Sequence, residues 1–596
     1  MKFTLTSLLL AGAAVQAAPS LTERSLESTS NNDPFSITST DRNPKARAAA
    51  IDVKRKGWLY GHIPFGVAVY PTGTLANKTL AEHAATWQPY VTDLQNIITE
   101  ETAAAIKAVI EKGNFTTLDD YYKIYEGQWQ SSLPSGPLPG MLTNYTDDRT
   151  FSMMRLSTVP YRIRRVQRND KLLFPVDNAA EITGLTLEEL HAEGRLFSVD
   201  FSDLNELEQT PAFGAGCQAF FYIDPKSGDF LPLAVKPIVK GRESTALVYT
   251  PKDNPNDWLL AKMLINQNDG WHSTWGHTTK SHSAAEAPYL AAIRTLSDSH
   301  PVLAIMNRVE KTPWQVRPHL QESLVLGKAD TGPKYYPWTA DAARTWANQV
   351  YSTGETAKFY SNYYLVDLKN RGLIDYPYGP ALKSFPYYED AGYITERIRE
   401  FMATFINSYY PNDKAVAQDK EIQAWLRETD VAEVYDFPPS IQNRQTLIDI
   451  LTHQAYLGGV LHTIMSTNGN QLDIMALPFA PAGFPKEIPT EKGIEDIMPW
   501  MPTPEGAGWQ VATYAAGNRA AWKGTNQTIS YMFDDADMLQ RMNHETRAAA
   551  AKFQAQMFNF SAYVQTRTFD KNGLDRGMPY VWNVLDPNWG IYWSVV

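Results

Sequence analysis

The chain has 596 residues, 43% of them hydrophobic, and carries 65 acidic against 54 basic side chains for a formal net charge of −11. A chain of this length can bury a sizeable core, and its acidic balance argues against nucleic acid or anionic membrane as the main partner. Cys217 is the single cysteine, so no internal disulfide can form and stability must come from burial.

The first residues, MKFTLTSLLLAGAAVQAAPS, combine Lys2, a short apolar run and small residues around Val15-Gln16-Ala17. This reads as a secretory signal peptide, residues 1–17, cut after Ala17 rather than at a site that would leave Pro19 first. No later run approaches the roughly 20 apolar residues of a membrane-spanning helix. The chain is therefore expected to be secreted, extracellular and without a transmembrane segment. Five N-x-S/T sequons, at Asn77, Asn114, Asn144, Asn526 and Asn559, are candidate glycosylation sites consistent with that address. Residues 18–55 are rich in Ser, Thr, Asn, Arg and Ala, which predicts a disordered leader or propeptide. Lys54-Arg55 within it reads either as a dibasic processing site or as a plain surface pair.

Helical periodicity dominates afterwards, with helices predicted over 79–112, 257–296, 338–370, 388–409, 441–466 and 535–563. Short β signals at 217–222, 230–237 and 246–250 predict a small sheet beside them. Seven prolines between Pro478 and Pro504 exclude a long helix or central strand over 476–508. No repeat and no sharp change of composition interrupts 56–596, which favours one large, mainly α domain.

His272, His277 and His282 recur at intervals of five in a chain with eleven histidines. Side chains five apart on an α-helix point roughly 140° apart. A π-type turn would bring such positions into near alignment. Asn266-Gln267-Asn268-Asp269-Gly270 are poor helix formers just upstream, so a distorted turn there would let His272 and His277 face one metal, with His282 rotated onward. The alternative is three unrelated solvent or core histidines. A second candidate helix, RQTLIDILTHQAYLGGVLHTIMS, places His462 on a face with Leu451, Ala455 and Gly458, and Ser466 one turn later. His462 is either a core histidine or a metal ligand with a weak oxygen ligand beside it. The terminal run Ile591-Tyr592-Trp593-Ser594-Val595-Val596 is mostly apolar, and burying its α-carboxylate requires a partner such as a cation.

Taken together, W-H-x4-H-x4-H at Trp271–His282 with Glu286-Ala287-Pro288, T-H-Q-A-Y-L-G-G-V-L-H at 452–462, LSDSHPVLAIMNR at 296–308 and the apolar C-terminus resemble the lipoxygenase family, fungal secreted manganese members above all. The resemblance implies a large helical catalytic domain over 56–596 with a small β element, lacking the N-terminal β-barrel (PLAT) domain of plant and animal members. It implies His272, His277, His462, Ser466 and the Val596 carboxylate as metal ligands. Ser466 stands where many relatives have Asn, which puts that ligand in doubt. His282 and Asn268 would support the ligands without binding. The implied metal is manganese, with iron as the alternative.

The implied partners are a polyunsaturated free fatty acid, such as linoleate or linolenate, and O2, with a monomeric enzyme. A metal-bound hydroxide would take the bis-allylic hydrogen, with no side-chain base, and O2 would add to give a hydroperoxide. Arg519 is the candidate cation for the substrate carboxylate, and Val316 and Leu320 in WQVRPHL are candidate walls beside the pentadiene. Outside this class stand a secreted zinc hydrolase, for which no H-E-x-x-H is present, and an inactive lipid-binding relative.

Overall fold

A computed structural model describes residues 33–594 except 63–66, 97–101, 130–132, 134–135, 316, 318–335, 354, 467–475 and 518–521, with residues 90, 91, 93–96, 102, 466 and 513–517 described in their backbone alone. One hydrophobic core gathers residues from Phe35 to Trp593, and a smaller cluster including Phe174, Leu190, Phe220 and Leu233 lies on the outer side of the sheet.

The helix Pro255–His277 is the centre of the molecule. Every side chain from Asp257 to His277 is buried, so its sequence shows no polar stripe. Several of its polar residues are paired instead. Asn268 Nδ2 donates to the Ala215 carbonyl at 2.8 Å, and Asn268 Oδ1 accepts from the Cys217 amide at 2.8 Å. Asn266 Nδ2 donates to the Phe479 carbonyl at 2.8 Å, while Arg155 donates to Asn266 and to Asp269. The residues that looked like helix breakers are thus tethers holding the helix to the sheet and to the 476–508 loop. Asn268 does this and makes none of the histidine contacts expected of it.

The sheet is an antiparallel meander of Arg164–Arg165, Leu196–Asp200, Gly216–Ile223 and Phe230–Ile238. The last two strands match the β signals of the sequence. Residues 246–250 do not form a strand, and pair only through a bridge between Val235 and Tyr249. Pro237 lies two residues along from Val235 on the same outer edge and has no N–H to extend that ladder. Beside this meander there is a two-stranded ribbon, Leu59–Gly61 with Tyr70–Thr72. Among the described residues there is no N-terminal β-barrel, as expected.

The predicted helices are present, several of them divided: Thr74–Asn96 with Thr102–Glu111, Ala340–Ser352 with Tyr364–Asn370, and Ala536–Leu539 with His544–Gln565. Helix Pro386–Tyr409 packs against both Arg444–Ala455 and His544–Gln565. The proline-rich loop runs without a long helix to Pro504, which then starts the helix Pro504–Gly517. No helix among the described residues is long and apolar enough to cross a membrane.

Three expectations need correction. Residues 44–55, assigned to the disordered leader, belong to the helix Pro44–Gly57, and the segment before it packs Phe35 and Ile37 into the core. Polar composition misled here because the segment is held by ion pairs. Buried Arg47 pairs with Asp41 at 2.8 Å and bonds Glu421 Oε2 at 2.9 Å, and Lys54 Nζ donates to Leu296 O and Asp298. Lys54 is thus buried and Lys54-Arg55 is not a plain surface pair. Asn144 also differs from the other four sequon asparagines, which are exposed, because its Nδ2 is turned inward to the Pro579 carbonyl at 2.6 Å.

Candidate metal centre

Helix Pro255–His277 continues as a π turn over Thr278–Ser283 and returns to α geometry at Ala284–Thr295. The local sequence explains where the turn falls. Thr278, Thr279 and Ser281 bond back to the carbonyls of Trp275, Gly276 and His277 at 2.7, 2.9 and 2.6 Å, competing with the backbone ladder. Pro288, five residues beyond the turn, lacks the N–H that would tighten the next one. The distortion expected from the histidine spacing exists, but one repeat later than expected.

That shift changes the set of facing histidines. Helix geometry is regular through His277, so His272 points away from it. His272 instead sits in an aromatic box, stacked on Tyr161 at 6.2 Å between ring centroids and edge-on to Phe201 and Trp346. Burial, with Arg162 and Lys280 nearby, keeps it neutral far below the usual imidazole range. Across the π turn, His277 and His282 do face the same point, with centroids 5.4 Å apart. The expectation that His272 joins the cluster and His282 stands outside it is reversed.

The third imidazole comes from the second helix, Arg444–Ala455, which also passes through a π turn, Tyr456–Leu461, just before His462. Ordinary α geometry was expected there; the signal for the turn is Gly458-Gly459. The two π turns pack against each other. Glycine is required because backbone approaches on both sides: a Cβ at Gly458 would lie 3.3 Å from the Val309 carbonyl, and one at Gly459 would lie 3.3 Å from the Tyr592 carbonyl and 2.7 Å from Met532 Cε.

One ligand-type nitrogen from each of His277, His282 and His462 lies within 4.8 Å of the others, and all three residues are buried. His282 Nε2 and His462 Nε2 stand 3.0 Å apart. Imidazole nitrogens bound at about 2.1 Å and at right angles to one another stand about 3 Å apart, so the spacing suits one transition-metal ion. His277 Nδ1 donates to the Thr274 carbonyl at 2.7 Å, which leaves Nε2 as a lone pair, and that buried Nε2 has no hydrogen-bond partner. Burial and the neighbouring His282 push the His277 pKa down to about 3, so the ring is neutral and able to ligate. The donor set fits the implied metal.

Behind His282, Glu286 Oε1 lies 3.7 Å from its Nδ1. Burial would raise the Glu286 carboxyl, but Arg317 beside it and His282 hold it below the usual range. Arg317 is anchored by the Ala68 carbonyl at 3.2 Å. This Arg–carboxylate–imidazole chain orients His282, and Glu286 was read in sequence only as part of a motif. The last described residues thread past the same place: Thr463 Oγ1 donates to Ile591 O at 3.2 Å, and Ile591, Tyr592, Trp593 and Ser594 are all buried. Val596, Arg519, Val316 and Leu320 lie outside the described residues, as does the Ser466 side chain.

The family model for lipoxygenases matches residues 176–576. The chain belongs to the lipoxygenase family. This lipoxygenase is 36% identical over 561 residues to "Manganese lipoxygenase" of Fusarium oxysporum (strain Fo5176), covering 93% of this chain and 91% of that protein. It is 36% identical over 600 residues to the protein of the same name from Gaeumannomyces tritici, covering 98% and 96%. Its fold superposes on the solved manganese lipoxygenase of Gaeumannomyces graminis with a TM-score of 0.89 at 36% identity, over 94% of this chain and 100% of that one. A coral 8R-lipoxygenase shares the fold alone, at 19% identity and a TM-score of 0.74. As a lipoxygenase the chain is an oxidoreductase, a dioxygenase acting on fatty acids.

Proposed function

We propose that this lipoxygenase is a secreted, manganese-dependent enzyme that converts linoleate and linolenate to hydroperoxides. The observation that carries the reading is the convergence of His277, His282 and His462, from two π-distorted helices, on one buried point. When bound there, manganese would supply the one-electron oxidant and the base for a bis-allylic hydrogen.

The chain's own residues would hold that ion and keep water out. Three imidazoles would supply nitrogen donors, and the Thr274 carbonyl and Glu286 fix the orientation of two of them. The Val596 carboxylate is the proposed fourth ligand. Ser594 is already buried beside Gly458, and two further residues reach at most about 7 Å. Ser466, one helical turn beyond His462, is the proposed position of a weak oxygen ligand or of a water held in its place. No buried Ser-His-Asp grouping is assigned a catalytic part. His300, Asp419 and Tyr410 do meet, but His300 Nδ1 accepts from the Val302 amide and the group caps a helix. Arg519 is proposed for the substrate carboxylate, and Val316 and Leu320 for the wall beside the pentadiene.

Manganese rather than iron is supported by the similarity to fungal proteins named manganese lipoxygenase. Secretion is supported by the signal-like residues 1–17 and by four exposed sequon asparagines. Incubating purified protein with linoleate and O2 should raise the ultraviolet absorbance of conjugated diene, and elemental analysis should find manganese. Predominant iron would overturn the metal assignment, and fatty acid binding without diene formation would overturn the activity.

A further inference from the structure

Glu310 ends the helix Pro301–Val309 and is 1% exposed. Its Oε1 accepts from Gln454 Nε2 at 2.8 Å, and the same amide nitrogen donates to the Ala285 carbonyl at 2.6 Å. Its other oxygen, Oε2, has no hydrogen-bond partner, and neither has the buried Ser594 hydroxyl. Both side chains lie over one face of Gly458, where a Cβ would be 3.7 Å from Glu310 Oε1 and 3.7 Å from Ser594 Oγ.

Two buried polar groups left unpaired side by side are costly, and native structures seldom leave them so. Neither group bonds the other directly, and a place with a polar group on each side is the setting for a bridging water. Burial, reinforced by Glu286 and only partly opposed by the Gln454 bond, holds the Glu310 carboxyl far above the usual range. A neutral acid has an O–H to donate from Oε2 while Oε1 accepts from Gln454.

We propose that Glu310 is a positioning residue for the carboxy-terminal tail, its free oxygen joined to the Ser594 hydroxyl through one buried water across Gly458. Through Gln454 and Ala285 the same carboxyl also holds the helix after the π turn of His277 and His282. One acid thus ties together the three chain segments that meet at the metal centre. Its effect on the metal rests on the Val596 reading above, whereas the tie between Glu310 and the tail does not.

The test compares full-length, metal-loaded wild type with Glu310→Gln, Glu310→Ala and Ser594→Ala. The readouts are hydrogen exchange in the C-terminal peptide, release of terminal residues by a carboxypeptidase, melting temperature and metal content. Ser594→Ala and Glu310→Ala should expose the tail about tenfold, and the double variant should be no worse than either single one. Glu310→Gln should behave as wild type, because its amide donates as the neutral acid does. If Glu310→Ala fails to fold, the other two variants decide. A tail as protected in Ser594→Ala as in wild type, or one as loose in Glu310→Gln as in Ser594→Ala, overturns the proposal. A loosened tail with full metal content supports it and overturns the Val596 reading instead.

Discussion

His282 and His462 are 180 residues apart in sequence, yet their Nε2 atoms stand 3.0 Å apart. Two π turns bring this about, one placed at or just before each of these residues. Each turn adds one residue to a helical circuit and rotates the side chains beyond it. His282 is thereby aligned with His277, and His462 is brought to face both.

The first prediction separates ligands from packing residues. His277→Ala, His282→Ala and His462→Ala should each lower metal content below about one tenth of wild type and abolish diene formation. His272→Ala should keep its metal and lose stability only, since it empties an aromatic box. Mass spectrometry of bound metal on the four variants checks this. Normal metal in His282→Ala would remove that residue from the ligand set.

Acid lability is the second prediction. His272 and His453 are both buried and neutral, with His453 pushed down to about 3 by burial and Lys280. A histidine whose folded pKa is depressed costs stability as pH falls, because the unfolded chain takes up a proton below about 6.5 and the folded one does not. Each such group gives a loss of about 1.4 kcal/mol per pH unit well below pH 6.5, and for His453 this loss continues down to about pH 3. Urea unfolding at several pH values should show the decline starting near pH 6.5. A decline that begins only near pH 4, where carboxylates titrate, would contradict it.

The ordered N-terminal segment gives the third. A chain starting at residue 56 should melt well below one starting at residue 33. Arg47→Ala alone should cost about 3–5 kcal/mol, since it leaves the buried Glu421 with the Ser297 amide but without its cation. Trypsin should leave Lys54-Arg55 uncut in the folded protein. Scanning calorimetry and limited proteolysis measure both.

Gly459→Ala is the fourth. The added methyl would meet Met532 Cε and the Tyr592 carbonyl, and only the methionine end can give way easily. Displacing Tyr592 moves the tail, so metal affinity should fall about tenfold while Met532→Ala in the same chain restores part of it. Unchanged metal affinity in the single variant would show that the tail tolerates the shift.

The helical domain and small sheet were legible because long apolar periods and short apolar or aromatic runs are local signals. The pairing of the central helix was not: Asn266, Asn268 and Asp269 read as breakers, and only their partners Phe479, Ala215 and Arg155 make them tethers. The helix over residues 44–57 was missed for the same reason, since its anchors Glu421 and Asp298 lie far along the chain.

By itself the sequence nominated His277 and His462 for one buried site, and offered a π turn as the way to reconcile the five-residue histidine interval with it. Which neighbour joined them, His272 or His282, was decided only by the tertiary structure. The interval is identical on both sides of His277, so spacing alone cannot choose. The choice is made where Thr278, Thr279 and Ser281 divert the backbone, and by the side of the helix against which the second π turn packs.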